Sequence, residues 1–437
     1  MCKRVVFCCL AGVLAGFAAA WYVAAAEKPA EEAKSPAADS PRPAEKPDRA
    51  AEKPAVKWAP AVNPKPLSAN VTKGLNWLVE HQLKCGAWGQ GEESQAMGGG
   101  KQLKDVPSVA DTSMAALGLI RAGSTPAQGQ YAKNVLDAVK FVCGEIEESD
   151  KDSLYVTPQR GTRVQTKLGP FIDTFTASLL LAEVKDRMPD SDSRNRVAAA
   201  LDKVLAKIQK NQQPDGTWGG TGWATTLQQN MAVKSLNRAV QNGAAVVDEK
   251  VRQRAESQAQ QSFDRRSGKF SKDGSAGVEL YSAGATLNSL SNSGLSNGLA
   301  VGEVRRQAAS APTAAARQEA RATLDRFQAV DKDLADAQRA VVARLDDKQF
   351  IAGFGSNGGE EFLSYMNIGE SLVVKGGDIW KAWDKSISEN LNRVQNNDGS
   401  WSGHHCITGR TFCTSAALLV LMVDRSPVPI SDKMKRR

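Results

Sequence analysis

One short word occurs three times in this chain. It reads Q-x3-G-x-W: Gln82, Gly86 and Trp88; Gln212, Gly216 and Trp218; Gln395, Gly399 and Trp401. A recurring word marks a unit that cannot bury its apolar face alone and must stack on its copies. Each word closes an amphipathic stretch with apolar residues at three- and four-residue steps: Val71-Leu75-Leu78, Val197-Leu201-Val204-Ile208, and Trp380-Trp383-Ile387-Leu391. That spacing makes one face of a helix. A glycine-rich turn and a more apolar segment follow, as in Thr112–Ala122, Thr174–Val184, Trp223–Val240 and Thr411–Val423. Two weaker copies put Phe where Trp stands: Gly268 with Phe270, before Tyr281–Leu290, and Gly353 with Phe354, before Phe362–Val374. Tyr131–Glu147 has the amphipathic pattern without the word.

The expected unit is therefore a helix pair, and six pairs start near Asn70, Tyr131, Ser193, Asp248, Ala337 and Ile379. The first helix of each faces solvent on one side. The second is apolar on most sides and belongs between neighbours. Six such pairs can close into a ring, so the expected fold is all-α, an α/α toroid of inner and outer helices over residues 67–425. Leu299–Asp347 departs from the period and reads as a helical insertion, with Leu324, Phe327, Val330, Leu334, Val341 and Leu345 on one stripe. Its expected place is a long outer helix on the ring; its functional alternative is a lid over the mouth.

Residues 1–26 have the pattern of a secretory signal: Lys3 and Arg4, an uncharged run from Val5, and small Ala24 and Ala26 before Glu27. An uncleaved anchor, with membrane tethering, is the alternative. Either implies export to periplasm, envelope or exterior. Nine of the 18 prolines fall in residues 27–66, a stretch of A-E-K-P words expected to be an extended spacer. Residues 426–437 read as a basic tail. Net charge is +8, and no basic run carries interleaved aromatics, so nucleic acid is not an expected partner. The expected partners are a small apolar or glycan-like ligand, or a protein.

The repeated word, set between helix pairs, resembles the QW repeats of squalene cyclases and their relatives. The chain is similar to the terpenoid cyclase/protein prenyltransferase superfamily over Leu67–Asp424. The resemblance implies the toroid and raises four chemistries, three of which miss a key residue here. A cyclase implies D-x-D-D, and the nearest string is Asp190-Ser191-Asp192-Ser193. A prenyltransferase implies zinc on Asp-x-Cys and a later His. Here stand Asp111-Thr112-Ser113, Asp173-Thr174-Phe175 and Arg410. A thioester domain implies C-G-E-Q, and Cys143-Gly144-Glu145 is followed by Ile146. The adjacent His405-Cys406 loosely resembles the zinc ligands of lanthionine cyclases, another α/α toroid. The family chemistry therefore does not carry over, and whether the chain is an enzyme stays open.

Two groups can carry chemistry of their own. His404, His405, Cys406 and Cys413 hold two of three histidines beside thiols, a ligand set zinc accepts. The alternative is a Cys406–Cys413 or Cys85–Cys406 disulfide. Asp111, Asp173 and Glu279, with Glu360 and Glu361, stand at the starts of inner helices, where paired carboxylates can serve as acid and base. The alternative is helix capping. Trp223 and Tyr281 lie outside the repeated words and are candidates to line a cavity. Beside a binding module or an enzyme, a structural envelope protein with a filled centre completes the expected functions.

Overall fold

A computed structural model describes residues 56–93, 103–244, 246–355 and 357–430. The signal expected over 1–26 and the spacer up to residue 55 lie outside the described residues.

The strand β1 (Trp58–Pro60) opens the body. Helix pairs follow in chain order: α1 (Ala69–Glu80) with α2 (Val109–Arg121); α3 (Ala132–Glu148), the short α4 (Arg163–Leu168) and α5 (Ile172–Val184); α6 (Ser191–Lys210) with α7 (Thr225–Gln241). Then come α8 (Glu249–Gln261) with α9 (Glu279–Ser310), α10 (Ala314–Val342), the short α11 (Lys348–Ala352) and α12 (Gly359–Val373), and α13 (Gly377–Arg393) with α14 (Arg410–Leu421). The two-residue strands β2 (Phe263–Asp264) and β3 (Lys269–Phe270) form a small hairpin, and β4 (Pro427–Pro429) ends the body.

The second helix of each pair builds the ring. In sequence α2, α5, α7, α9, α12 and α14 each pack on the next, and α14 packs back on α2. The fold is an α/α toroid. Every residue of α2 and α5 is buried, as a helix surrounded by helices requires. The outer helices bury one stripe. On α13 it is Trp380, Trp383, Ile387 and Leu391, the stripe read from sequence. All inner helices start at one end, here the rim, and finish at the other, the base. At the rim the starts of α2 and α5 are tied by Ala110 N–H donating to Asp173 (2.8 Å), and those of α9 and α12 by Tyr281 donating to Glu361 (2.5 Å).

The repeated word makes the same contacts three times. The indoles of Trp88, Trp218 and Trp401 donate to the carbonyls of Leu78 (2.7 Å), Ile208 (2.6 Å) and Leu391 (2.8 Å), each ten residues earlier at the end of an outer helix. The amides of Gln82, Gln212 and Gln395 each reach back to the word's own glycine carbonyl and across to a neighbouring outer helix. They donate to Asn134 O on α3 (3.0 Å), Val251 O on α8 (3.0 Å) and Asn70 O on α1 (2.9 Å). The last of these joins the sixth pair to the first and closes the ring. The glycine is forced twice over. Gly216 has φ +86°, and a Cβ there would lie 2.3 Å from Arg254 O.

The 299–347 segment is helical throughout most of its length. Its first part continues α9, which runs 32 residues, and α10 returns alongside it as the outer helix of the fifth pair. Because α9 begins at the rim, this extension leaves from the base and does not cover the rim.

The spacer expected over 27–66 and the tail expected from 426 both end in structure instead. β1 pairs antiparallel with β4, with Trp58 opposite Pro429 and Pro60 opposite Pro427. Trp58 also lies over the Arg238 guanidinium, 4.6 Å from its ring centroid, and Arg238 donates to Pro427 O (3.1 Å). Composition marked these prolines as spacer, but a short strap needs few apolar residues when a cation–π contact and a ladder hold it. Residues 431–437 lie outside the described residues.

Gly216→Ala should therefore destabilise the protein by about 1–3 kcal/mol, the cost of holding a non-glycine residue in that region. Gly302→Ala, in α9 with open space around it, should be neutral or stabilising. Denaturant midpoints of the two variants check the pair.

Candidate functional site

The rim gathers some of the expected acids and leaves out one. Glu360 and Glu361 open α12, and both are fully buried. Glu361 Oε1 accepts from Tyr281 O–H at 2.5 Å and from Phe354 N–H at 2.9 Å. Its Oε2 lies 3.5 Å from His405 Nε2. Glu360 Oε2 accepts from Ile407 N–H at 3.1 Å. Glu360 Oε1, Glu361 Oε2 and both His405 ring nitrogens have no hydrogen-bond partner among the described residues.

Two carboxylates side by side out of water cannot both ionise easily. Burial, then the charge of Glu361, pushes Glu360 up to about 8. Burial also raises Glu361, but its Tyr281 and Phe354 donors act against the shift. The donors on Glu361 thus separate the pair, with Glu360 the stronger holder of a proton. Burial, with His404 and Lys167 nearby, lowers His405 to about 4, so its imidazole is neutral. Cys406 is pushed up to about 11 by burial and by Glu360. It sits at φ +53°, in the left-handed region a non-glycine residue rarely adopts.

Aromatic rings lead outward from this pair. The Phe354 ring meets His405 edge-on at 5.4 Å and Trp223 at 5.7 Å between centroids. Lys167 Nζ stands 5.3 Å from the Trp223 ring. Trp223 is 39% exposed and Phe354 54%, two of the largest apolar side chains left in solvent among the described residues. The expected cavity candidates thus flank Glu361 from two sides: Tyr281 bonds it directly, and Trp223 contacts Phe354, whose amide bonds it.

Asp111 and Asp173 form a second acidic group. Ser108 caps α2 and its hydroxyl donates to Asp111 Oδ2 (2.6 Å); Asp111 Oδ1 has no partner among the described residues. Burial pushes Asp111 up to about 7. Asp173 accepts from Ala110 N–H and from Gln165 Nε2 (2.7 Å), so it caps the neighbouring helix rather than its own. Burial raises it as well. Cys413, on α14, feels the charges of both Glu360 and Asp111, so the two acidic groups share one region of the rim. Glu279 does not join them. It is 38% exposed and pairs with Arg344 (2.8 Å), beyond the end of α10. An acid at a helix start faces the axis only at the right turn of the helix, and Glu279 is turned outward.

The expected metal set is not assembled. Among the described residues no three His, Cys, Asp or Glu side chains are placed to hold an ion. Cys413 points inward and donates to Ile407 O at 3.4 Å. Cys85, Cys143, Cys406 and Cys413 are all free thiols. The adjacency of His404, His405 and Cys406 in sequence does not bring their side chains together around one point, and Cys406 takes a left-handed backbone conformation.

Below the rim the inner helices carry largely buried ion pairs. Lys234 on α7 donates to Glu370 on α12 (2.6 and 2.8 Å), joining the two helices that flank α9. Beneath it Arg121 makes a bidentate bond to Glu183 (2.6 and 2.7 Å). Burial opposes ionisation there, but the charges of Arg121 and Arg238 overcome it and hold Glu183 at about 2.

No protein-family model and no curated protein matches the chain. Solved structures do match in fold. An inactive variant of an alpha-1,6-mannanase of Salegentibacter, solved with alpha-1,6-mannotriose, superposes with TM-score 0.50 and 9% identity, over 82% of this chain and 98% of that one. A type II terpene cyclase from Scytonema gives 0.43 and 13%, over 82% and 97%. A polysaccharide lyase gives 0.42 and 12%, over 82% and 95%. At 9% identity the likeness to the mannanase shows the fold and leaves function to the residues.

The acid pair sets a pH dependence. Glu360 and Asp111 bind protons more tightly folded than unfolded, so their contribution to stability is full below about pH 4 and is lost as pH rises through about 7 to 8. His405 acts oppositely, its contribution lost as pH falls from about 6.5 through 4. Glu360→Gln should therefore stabilise the protein at pH 8 and give little gain near pH 4. Denaturation midpoints across that range check the sign.

Proposed function

We propose that this chain is an exported carbohydrate-acting toroid, with Glu360 as proton donor and Glu361 as its ionised partner. The observation that carries the reading is the divided pair: two adjacent buried carboxyls, one kept neutral and one held by donors, behind an exposed aromatic platform. Neighbouring carboxyls whose environments separate their proton affinities make an acid and a base available at neutral pH. Trp223 and Phe354 offer flat apolar faces at the mouth, with Lys167 and His404 as polar neighbours. The structurally similar mannanase is inactive when two consecutive aspartates are changed to asparagine, so a consecutive acid pair is chemistry this scaffold can carry.

The resemblance to cyclases and prenyltransferases supports the scaffold more than their reactions. A long apolar isoprenoid fits poorly in a ring whose inner helices bury the Lys234–Glu370 pair. The signal-like N-terminus supports an exported setting, where polysaccharides are met.

A panel of plant and microbial polysaccharides, followed for new reducing ends and for unsaturated products, tests the reading. Glu360→Gln should lower turnover about a hundredfold or more while binding persists. Trp223→Ala should weaken binding without moving the pH profile. If a polysaccharide binds but Glu360→Gln changes nothing beyond it, the chain is a binding module. If no member binds, the carbohydrate reading is wrong.

A further inference from the structure

The four acids gathered at the rim are sealed in the protein, while two cations stand open near them. Asp111, Asp173, Glu360 and Glu361 are all buried. Lys167, in the last turn of α4, is half-buried, and Arg160, just ahead of α4, is exposed. Burial dominates the proton affinities of Glu360 and Asp173, but the Lys167 charge reaches the first and the Arg160 charge the second. Neither cation makes an ion pair among the described residues. Each lies over an aromatic ring instead: Lys167 Nζ is 5.3 Å from the Trp223 centroid, and the Arg160 guanidinium carbon is 3.5 Å from that of Tyr155. A ring face holds a cation in place without cancelling its charge. Arg160 Nη1 donates to the carbonyls of Thr157 and Gln159, so its Nε–Nη2 edge has no partner among the described residues. That edge is a fork that takes a carboxylate by two parallel bonds.

The two cation–ring pairs belong to one connected piece of the rim. Ala224 N–H, next to Trp223, donates to Lys167 O (2.7 Å), and a Cβ on Gly220 would lie 2.8 Å from Pro170 and 3.5 Å from the Phe171 ring. Phe171 meets Tyr155 at 4.9 Å between centroids. On its other side Trp223 meets Phe354, whose N–H is given to Glu361. The contacts thus lead from Arg160 through Tyr155 and Phe171, past Lys167 and Trp223, to Phe354 and the acid pair.

We propose that this stretch of rim is the binding track for a carboxylate-bearing polysaccharide, one built with uronic acid sugars. The proposal rests on the carbohydrate reading and names the class of glycan. A neutral glycan would use the rings and leave both cations unanswered, and a small free anion would use the cations and leave the rings. An acidic glycan uses both: exposed Trp223 and Phe354 offer apolar surface to the sugars, and Lys167 and Arg160 receive the carboxylates. Because the rim's own carboxyls are buried, the charges such a polymer meets first are the two cations.

The full chain is titrated calorimetrically with polygalacturonate, alginate and hyaluronate, each beside its carboxyl-reduced neutral counterpart, and with dextran sulfate. At least one uronate polymer should bind about tenfold or more tighter than its reduced counterpart, and added salt should weaken it. Lys167→Gln and Arg160→Gln should each weaken that binding by about threefold to tenfold with melting temperatures near wild type, and Lys167→Arg should retain it. Equal binding of acidic and reduced polymers overturns the proposal, as does binding unchanged in both glutamine variants. A melting temperature that falls in Lys167→Gln with binding intact marks the cation–ring contacts as packing alone and also overturns it. Dextran sulfate bound as tightly as every uronate overturns recognition of the carboxylate. Glu360-dependent turnover of a neutral polymer, with no uronate bound, removes the track and leaves the acid pair standing. A uronate bound through Lys167 and Arg160, with turnover indifferent to Glu360→Gln, removes the acid pair and leaves the track.

Discussion

An indole N–H given to a carbonyl ten residues earlier is the bond on which this ring depends. A helix end leaves carbonyls without partners. Trp88, Trp218 and Trp401 each answer one at the end of an outer helix and at the same time fill the space above the next inner helix. The glutamine of each word then fastens that turn to an adjacent outer helix. One short sequence thus supplies a stop, a turn and a lateral bond. The first, third and sixth corners of the hexagon use it, the fourth and fifth carry weaker versions with Phe, and the second does without.

Much of the scaffold was legible because its signals are local. Helix faces are written at three- and four-residue steps, and Gly-x-Trp marks where they end. The strap was not legible: Trp58 and Pro427 are far apart in sequence, and their partner, Arg238, lies in the last turn of an inner helix. The site was half legible. Acids at inner-helix starts are visible as a pattern, but the pattern does not say which face each occupies. Glu279 and Glu360 look alike in sequence, yet one pairs with Arg344 at the surface and the other is sealed beside Glu361. The His404–Cys413 cluster misled for the same reason. Proximity along the chain is not convergence of side chains.

The two ends of the ring treat charge in opposite ways. At the base, carboxylates meet guanidinium and ammonium groups directly, and Glu183 is held firmly ionised. At the rim, Glu360 lies beside Glu361 and Asp111 near Asp173, and the proton affinities of Glu360 and Asp111 rise. Burial alone does not create reactivity; the base is as buried as the rim. What differs is whether the partner is an opposite charge, which fixes protonation, or a like charge, which leaves it adjustable.

The strap between β1 and β4 has a consequence for orientation. The body begins and ends on the same face, and that face is the base. A pull on the body at Trp58 therefore acts on the end opposite the acid pair. The two ends of the body also lock each other, so a pull on the leading segment is first resisted by a ladder to the trailing one rather than by the helices of the ring.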